Sequence, residues 1–289
     1  MRVILSDVIT YCGGVDRALR LAQACLRDAP GPVYSLGQLI HNQEVCSRLE
    51  EKGLKVITSP EDVPPGTVVI RAHGVGDDVK RRFLDAGFTL CDATCPIVLH
   101  NLERIKELAA SHAILVIGEK EHDEVRSMCH VDGAPVTVIS SVSDLSSLPK
   151  DKSYAVFVQT TFEVSTYETI IRAMGDAGYQ FFSANKVCAS PIKRRNAVLR
   201  LARQCDAVIV VGGKNSANTA MLAHIAASTG KPVWHIENES EVTDQMRGYA
   251  TVGLASGTST SLETIRRVQA RLLGKDALGA EHEPGKVSQ

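Results

Sequence analysis

The 289-residue sequence has no apolar run approaching the roughly 18 residues a membrane-spanning helix requires. Its first residues, Met1-Arg2-Val3-Ile4-Leu5-Ser6-Asp7, lack the apolar core and small-residue cleavage site of a secretory signal. A cytoplasmic protein with no membrane partner is expected. An excess of one charge is also missing: 32 Lys and Arg face 33 Asp and Glu, for a formal net charge of -1. Composition therefore announces neither a nucleic acid nor an anionic bilayer as partner. Neither a Walker A sequence nor GxGxxG occurs, which removes the two commonest phosphate-cradling loops. The cysteines, at 12, 25, 46, 91, 95, 129, 188 and 205, contain no CxxC pair, so no local metal knuckle is written into the chain.

What is present is the material of a folded α/β protein. Hydrophobic residues make up 44% and charged residues 22%, values of ordinary soluble domains, and the length exceeds that of one usual domain, so two or three units are expected. Short apolar runs at 3–5, 68–70, 114–117, 155–158, 208–211 and 250–253 stop at Gly, His, Ser or Thr. They show no polar alternation, as expected of parallel strands covered on both faces. Amphipathic stretches at 15–27, 43–52, 76–86, 97–110, 165–177, 194–204, 217–229 and 261–273 lie between them. This alternation predicts α/β units with mainly parallel sheets and right-handed crossovers.

A weak repeat supports more than one copy of the same unit. Ile114 to Glu124 laid beside Ile209 to Asn218, apart from a one-residue slip at the start, matches Lys120 with Lys214, His122 with Ser216 and Glu124 with Asn218. A third strand with a polar end is Val68-Val69-Ile70-Arg71-Ala72-His73. We therefore expect three related α/β units: 1–96, including the N-terminal strand, 97–192, and 193–273. Boundaries fall beside Pro96 and Pro191, and a loose tail follows at 274–289. Open α/β sheets bind ligands at the C-terminal ends of their strands, where these polar residues lie.

Cys12, Cys95 and Cys188 are separated by 83 and 93 residues, about one per expected unit. Each follows a strand-like run and precedes a turn. Packed about a common axis, three thiolates would meet there, and three ligands leave one iron of a cubane cluster open to an exogenous oxygen. The alternative is that they are buried cysteines acting as small hydrophobes, the reading that suits Cys25, Cys46, Cys129 and Cys205; Cys91 is ambiguous. Zinc is not excluded by ligand type, but no close Cys/His pair supports it.

The polar residues add a second pattern. His41, His73 and His122 each follow an apolar run. Lys214-Asn215-Ser216-Ala217-Asn218-Thr219 and Ser256-Gly257-Thr258-Ser259-Thr260-Ser261 each open a helical stretch. Hydroxyls, amides and backbone N–H groups at a helix start suit an anion, although ordinary N-capping uses the same residues. Together with the histidines they point to a phosphate pocket. Glu124 stands where burial would raise its pKa into the range of a proton donor, and Thr160-Thr161 ends a strand where it can orient such a group.

These segments, taken in order, resemble one family. Cys-Gly-Gly-Val-Asp-Arg-Ala at 12–18, Ile-His-Asn at 40–42, Ala-His-Gly-Val at 72–75, Asp-Ala-Thr-Cys-Pro at 92–96, His-x-Glu-Val at 122–125, Gln-Thr-Thr at 159–161, Lys-Asn-Ser-x-Asn at 214–218 and Gly-x-Ser at 257–259 are similar to 4-hydroxy-3-methylbut-2-enyl diphosphate reductases over nearly the whole chain. The resemblance implies three α/β units with pseudo-threefold symmetry around a central [4Fe–4S] cluster held by Cys12, Cys95 and Cys188, one iron lacking a cysteine. It implies the last step of the non-mevalonate isoprenoid pathway, a two-electron reductive dehydroxylation giving isopentenyl and dimethylallyl diphosphates. It further implies diphosphate binding by His41, His73, His122, Ser216, Asn218 and Ser259, proton delivery by Glu124 with Thr160, and ferredoxin or flavodoxin as electron donor.

The sequence departs from the family's usual pattern in several places. Ala189-Ser190-Pro191-Ile192-Lys193-Arg194-Arg195 replaces a Thr-containing stretch ending in Asn-Arg-Gln, with only Arg194 kept. Ala217 replaces a serine, Asp123 the usual proline, Glu119-Lys120-Glu121 a glycine-histidine stretch, and Ser261 a common proline. Lost hydrogen bonds near a charged ligand cost about 1–3 kcal/mol each. A paralogue acting on a different hydroxylated, anionic substrate is therefore an alternative, as are a non-enzymatic iron–sulfur sensor and a metal-free sugar- or nucleotide-binding α/β protein. Retention of Glu124 and Thr160 disfavours the sensor.

Overall fold

The computed structural model describes residues 1–40 and 42–274; His41 and the expected loose tail from 275 onward lie outside the described residues. Twelve strands among those residues form three four-stranded sheets in which every pairing is parallel. β1 (Arg2–Leu5) leads to helix α1 (Gly13–Asp28), followed by β2 (Val33–Leu36), α2 (Gln43–Glu51), β3 (Leu54–Ile57), β4 (Thr67–Ile70), α3 (Asp77–Asp85) and β5 (Thr89–Asp92). Next come α4 (Pro96–Leu108), β6 (Ala113–Ile117), α5 (Asp123–Cys129), β7 (Val136–Ile139), β8 (Ser153–Val158), α6 (Val164–Asp176) and β9 (Gln180–Ser183). The last run is α7 (Ala189–Ala202), β10 (Ala207–Val211), α8 (Ala217–Ala227), β11 (Val233–Ile236), α9 (Asp244–Arg247), β12 (Thr251–Ser256) and α10 (Leu262–Leu272).

The three sheets are ordered β3-β2-β4-β5, β7-β6-β8-β9 and β11-β10-β12-β1. Each is thus built as second, first, third and fourth place, so the three α/β units expected from the repeat are present, with parallel sheets throughout. The strand order reverses between β2 and β4, between β6 and β8, and between β10 and β12. A crevice for ligands opens at such a reversal, beyond the strands' C-terminal ends.

Alternation explains why the central strands read as unbroken apolar runs. Ile114, Val116, Ala155 and Phe157 pack with Val98, Leu102, Ile105, Val125 and Met128 on one face of their sheet. Their neighbours Leu115, Ile117, Val156 and Val158 pack with Ile170 and Met174 on the other. Each of the larger buried side chains contributes about 1.5–3 kcal/mol, and the central positions of both strands face packed helices on either side.

The N-terminal strand departs from expectation. It was grouped with 1–96, but β1 pairs with β12 in register Arg2↔Thr251 to Leu5↔Leu254. The third repeat supplies only three strands of its own, and β1 takes the fourth place, covering an edge that β12 would otherwise present. By compactness the chain divides into Met1–Tyr11 with Ile192–Gln289, and Cys12–Pro191, which contains the other two sheets.

Candidate active site

The three candidate cysteines occupy equivalent places. Each follows a fourth-place strand, β1, β5 or β9, and each opens a helix: Cys12 is the N-cap of α1, Cys95 the N-cap of α4, and Cys188 directly precedes α7. All three belong to the Cys12–Pro191 unit. Burial raises the Cys95 thiol above its ordinary value, the N–H groups of Ile97 and Val98 oppose this, and nearby Cys12 and Cys188 raise it further. Cys95 therefore feels both of the other cysteines.

The surrounding backbone is shaped to the sulfur of Cys95. A Cβ on Gly14, in the first turn of α1, would stand 2.9 Å from Cys95 Sγ. Arg17, one turn further on, donates to the carbonyls of Thr94 (2.9 Å) and Asp92 (3.2 Å), tying α1 to the loop that presents Cys95. Ser190 N–H points at Cys188 Sγ across 3.5 Å. Among the described residues no group of three or more His, Cys, Asp and Glu side chains is drawn together around a single point. Three helix-start thiols, one after each fourth-place strand, match in kind and number the protein ligands of an iron–sulfur group that keeps one iron free of cysteine.

Glu124 is fully buried, with 1% of its surface exposed. Thr160 grips both oxygens: its N–H donates to Oε1 at 2.8 Å and its hydroxyl to Oε2 at 2.7 Å. Burial pushes the carboxyl up from 4.5 to about 7, against the opposing pull of the two Thr160 hydrogen bonds. Such a group holds its proton near neutrality in a dry environment. The Thr160 carbonyl accepts from the Cys188 N–H at 2.8 Å, so one residue links the acid to the cysteine loop. Asn185 fixes the end of β8 by pairing with both backbone groups of Val158, at 2.7 and 2.9 Å.

His122 is the N-cap of α5, where its Nδ1 accepts the Glu124 N–H at 3.2 Å. That bond leaves Nε2 as the ring's proton-bearing nitrogen in the neutral form. The His73 ring meets His122 edge to face, with centroids 5.6 Å apart. The Cys95 N–H donates to Ala72 O at 2.9 Å, placing His73 beside the cysteine loop. The structure thus gathers His73, His122, Glu124, Thr160, Cys95 and Cys188 into one bonded set within the larger unit.

Ser216, Asn218 and Ser259 lie in the other unit. Ser216 is buried and caps α8, its hydroxyl accepting the Thr219 N–H at 3.3 Å. The cap of α10 is Ser261, which accepts from Thr264 N–H at 2.9 Å, leaving capping to a residue other than Ser259. Asn218 Nδ2 and Thr219 Oγ1 are buried and have no hydrogen-bond partner among the described residues. A Cβ on Gly257 would stand 2.2 Å from Thr219 Oγ1, so only glycine lets the Ser259 loop pass over the start of α8. His122 and Ser216 follow β6 and β10 by the same five residues and both cap a helix, which makes the sequence repeat a structural one.

Residues 3–273 match the family model described as LytB protein. The chain belongs to the LytB family. Relatives include the 4-hydroxy-3-methylbut-2-enyl diphosphate reductases of Solidesulfovibrio magneticus, 36% identical with 93% of this chain and 98% of that protein covered, and of Pelobacter propionicus, 33% identical over 94% and 98%. The solved (E)-4-hydroxy-3-methyl-but-2-enyl diphosphate reductase, described as the terminal enzyme of the non-mevalonate pathway, superposes with a TM-score of 0.77 at 28% identity, covering 95% of this chain and all of that one. The Plasmodium falciparum reductase structure has a TM-score of 0.83 at 23% identity, a likeness of fold.

Further residues order these loops. Ser127, one helical turn after Glu124 and 2% exposed, has its hydroxyl 2.7 Å from Glu124 O and 3.2 Å from His73 O. Gln159 accepts the Glu119 N–H at 2.9 Å and donates to Thr161 at 2.9 Å, shaping the loop before α5. Arg194 is buried at 1% exposure, and its guanidinium donates to Thr10 O (2.7 Å) and Ser256 O (2.9 Å). Thr10 has a positive φ of 69°, unusual for a β-branched residue, and is held by Ser256 Oγ accepting its N–H at 2.9 Å. Gln159 and Arg194 lie in segments that the sequence already marks, whereas Ser127 is signalled only by its helical spacing from Glu124.

Proposed function

We propose that this chain is a 4-hydroxy-3-methylbut-2-enyl diphosphate reductase. It takes the allylic diphosphate alcohol, two electrons and two protons to isopentenyl or dimethylallyl diphosphate and water. The observation that carries the reading is the buried Glu124 carboxyl, protonated up to about pH 7 and bonded through Thr160 to the loop of Cys188.

Cys12, Cys95 and Cys188 would hold a [4Fe–4S] cluster, supported by their helix-start placement and mutual proximity. When bound, the cluster supplies electrons one at a time and an iron without a cysteine ligand as a Lewis acid for the hydroxyl. This chain's residues do the rest. Glu124 holds a proton in a dry site and gives it up as the C–O bond breaks. The Thr160 hydroxyl keeps the carboxyl oriented and supports the hydroxyl end of the substrate. His73 and His122, edge to face, offer ring N–H groups to the diphosphate, and His41 is assigned the same role by resemblance alone. Ser216, Asn218 and Ser259 are proposed as diphosphate donors on features of their own unit: a helix start, and an amide Nδ2 without a partner among the described residues.

Ferredoxin or flavodoxin is the proposed electron donor and the cytoplasm the proposed location; no helix among the described residues is long and apolar enough to cross a membrane. The test is anaerobic turnover of the reconstituted full chain with the diphosphate alcohol and a chemical reductant. Formation of both isoprenoid diphosphates is expected, and no turnover with an intact cluster refutes the reading. Glu124→Gln should abolish turnover with the cluster spectrum unchanged, whereas a sensor would keep its ligand response.

A further inference from the structure

Arg71 and Asp123 form an ion pair that none of the proposed catalytic steps uses. Arg71 Nη2 and Asp123 Oδ1 are 2.6 Å apart, and the two side chains are only 23% and 26% exposed. Screening by solvent and salt is weaker there than for a surface pair. Arg71 directly follows β4 and stands two residues before His73. Asp123 is the first residue of α5, between the N-cap His122 and the buried Glu124, where the helix dipole favours its charge. The same guanidinium also reaches the loop after β2: a Cβ on Gly37 would be 3.1 Å from Arg71 Nη1. One side chain therefore touches the segments that follow β2 and β4 and the helix start that follows β6.

We propose that Arg71 and Asp123 are a positioning pair that fastens the His73 segment to the first turn of α5, setting His73, His122 and Glu124 relative to one another. The pair also cancels a carboxylate charge that would repel an anion at His122. Ser127 ties the same two segments through His73 O and Glu124 O, and the ion pair is the second fastening. Removing Arg71 both frees α5's first turn and exposes the Asp123 charge. Removing the Asp123 charge frees the turn alone. The two substitutions therefore break one connection and are not independent.

The proposal rests on the reading of His73 and His122 as diphosphate ligands, so one arm of the test needs no ligand. In that arm, hydrogen exchange of the full-length cluster-loaded protein is followed at 71–74 and 122–127. Arg71→Ala and Asp123→Asn should each speed exchange in both segments, and unchanged exchange overturns the proposal. In the second arm, titration calorimetry with inorganic diphosphate should show affinity weakened about tenfold by Arg71→Ala and less by Asp123→Asn, with the double variant no more than about twofold weaker than Arg71→Ala. KM for the diphosphate alcohol should rise in parallel with kcat changing less, and Arg71→Lys should recover part of the affinity. Losses that multiply in the double variant overturn the proposal. Wild-type protein that binds no diphosphate rejects the functional reading, and the exchange arm then decides this one.

Discussion

Thr160→Val removes one hydroxyl and keeps nearly all of the side chain's shape. In the folded protein that hydroxyl donates to Glu124 Oε2 at 2.7 Å, and the Thr160 N–H holds Oε1 at 2.8 Å. Burial has already pushed the Glu124 carboxyl to about 7, with these two bonds holding it down. A hydrogen bond to a charged group contributes about 1.5–3 kcal/mol, equivalent to about 1–2 pH units. Losing one favours the protonated form, so the carboxyl should titrate about 1–2 units higher in the variant. The proton donor is then available over a wider alkaline range. The assay is kcat at saturating substrate across roughly pH 5 to 10, where the high-pH limb should move up by that amount. Difference infrared spectroscopy of the carboxylic acid band, with Glu124→Gln to assign it, reads the same titration without turnover. A limb that stays in place or moves down refutes the assignment of Glu124 as the donor held by Thr160.

The same carboxyl makes stability depend on pH. Its folded pKa of about 7 lies above the ordinary 4.5, so wild-type stability is fullest below 4.5 and falls as pH rises through 7, by about 3 kcal/mol in all. Glu124→Gln, which cannot ionise, should be the more stable protein at pH 8 in denaturant unfolding, with the advantage vanishing below about pH 5. Gly14→Ala should lower bound iron after reconstitution, because its Cβ would stand 2.9 Å from Cys95 Sγ, whereas Gly13→Ala, with nothing within 4 Å, should retain full iron. Equal iron in both would show that the Gly14 approach does not shape the site. Arg194→Met strands the carbonyls of Thr10 and Ser256 and should cost about 3 kcal/mol or more in chemical unfolding; a loss within 0.5 kcal/mol, the range of an ordinary surface substitution, would contradict that account.

Part of this architecture is legible because both sheet faces are covered. β4, β6, β8 and β10 are apolar at almost every buried position, so they stand out as runs, and the helices between them show their spacing. β3, β7 and β11 are four-residue strands on the flanks, where exposed positions break the pattern and leave no run to read, and β5 and β9 show only as strand-like stretches before their cysteines. β2, a central strand, escaped too: Val33-Tyr34-Ser35-Leu36 is fully buried, yet Ser35 interrupts the run and is satisfied by donating to Gly37 O at 2.8 Å. α5 is only seven residues long, too short for periodicity to reveal.

By itself the sequence determined the α/β class, the threefold repetition and the identity of the polar residues at the strand ends. Those features are local, written in hydrophobic runs and in residue types a few positions apart. Only the tertiary structure decided that β1 completes the sheet of β10–β12, since a parallel strand's partner is chosen by an open edge hundreds of residues away rather than by its own four residues. The same holds for Glu124, whose type names an acid but whose burial and grip by Thr160 set its pKa. Arg71 and Asp123 lie 52 positions apart, and folding alone makes them a pair.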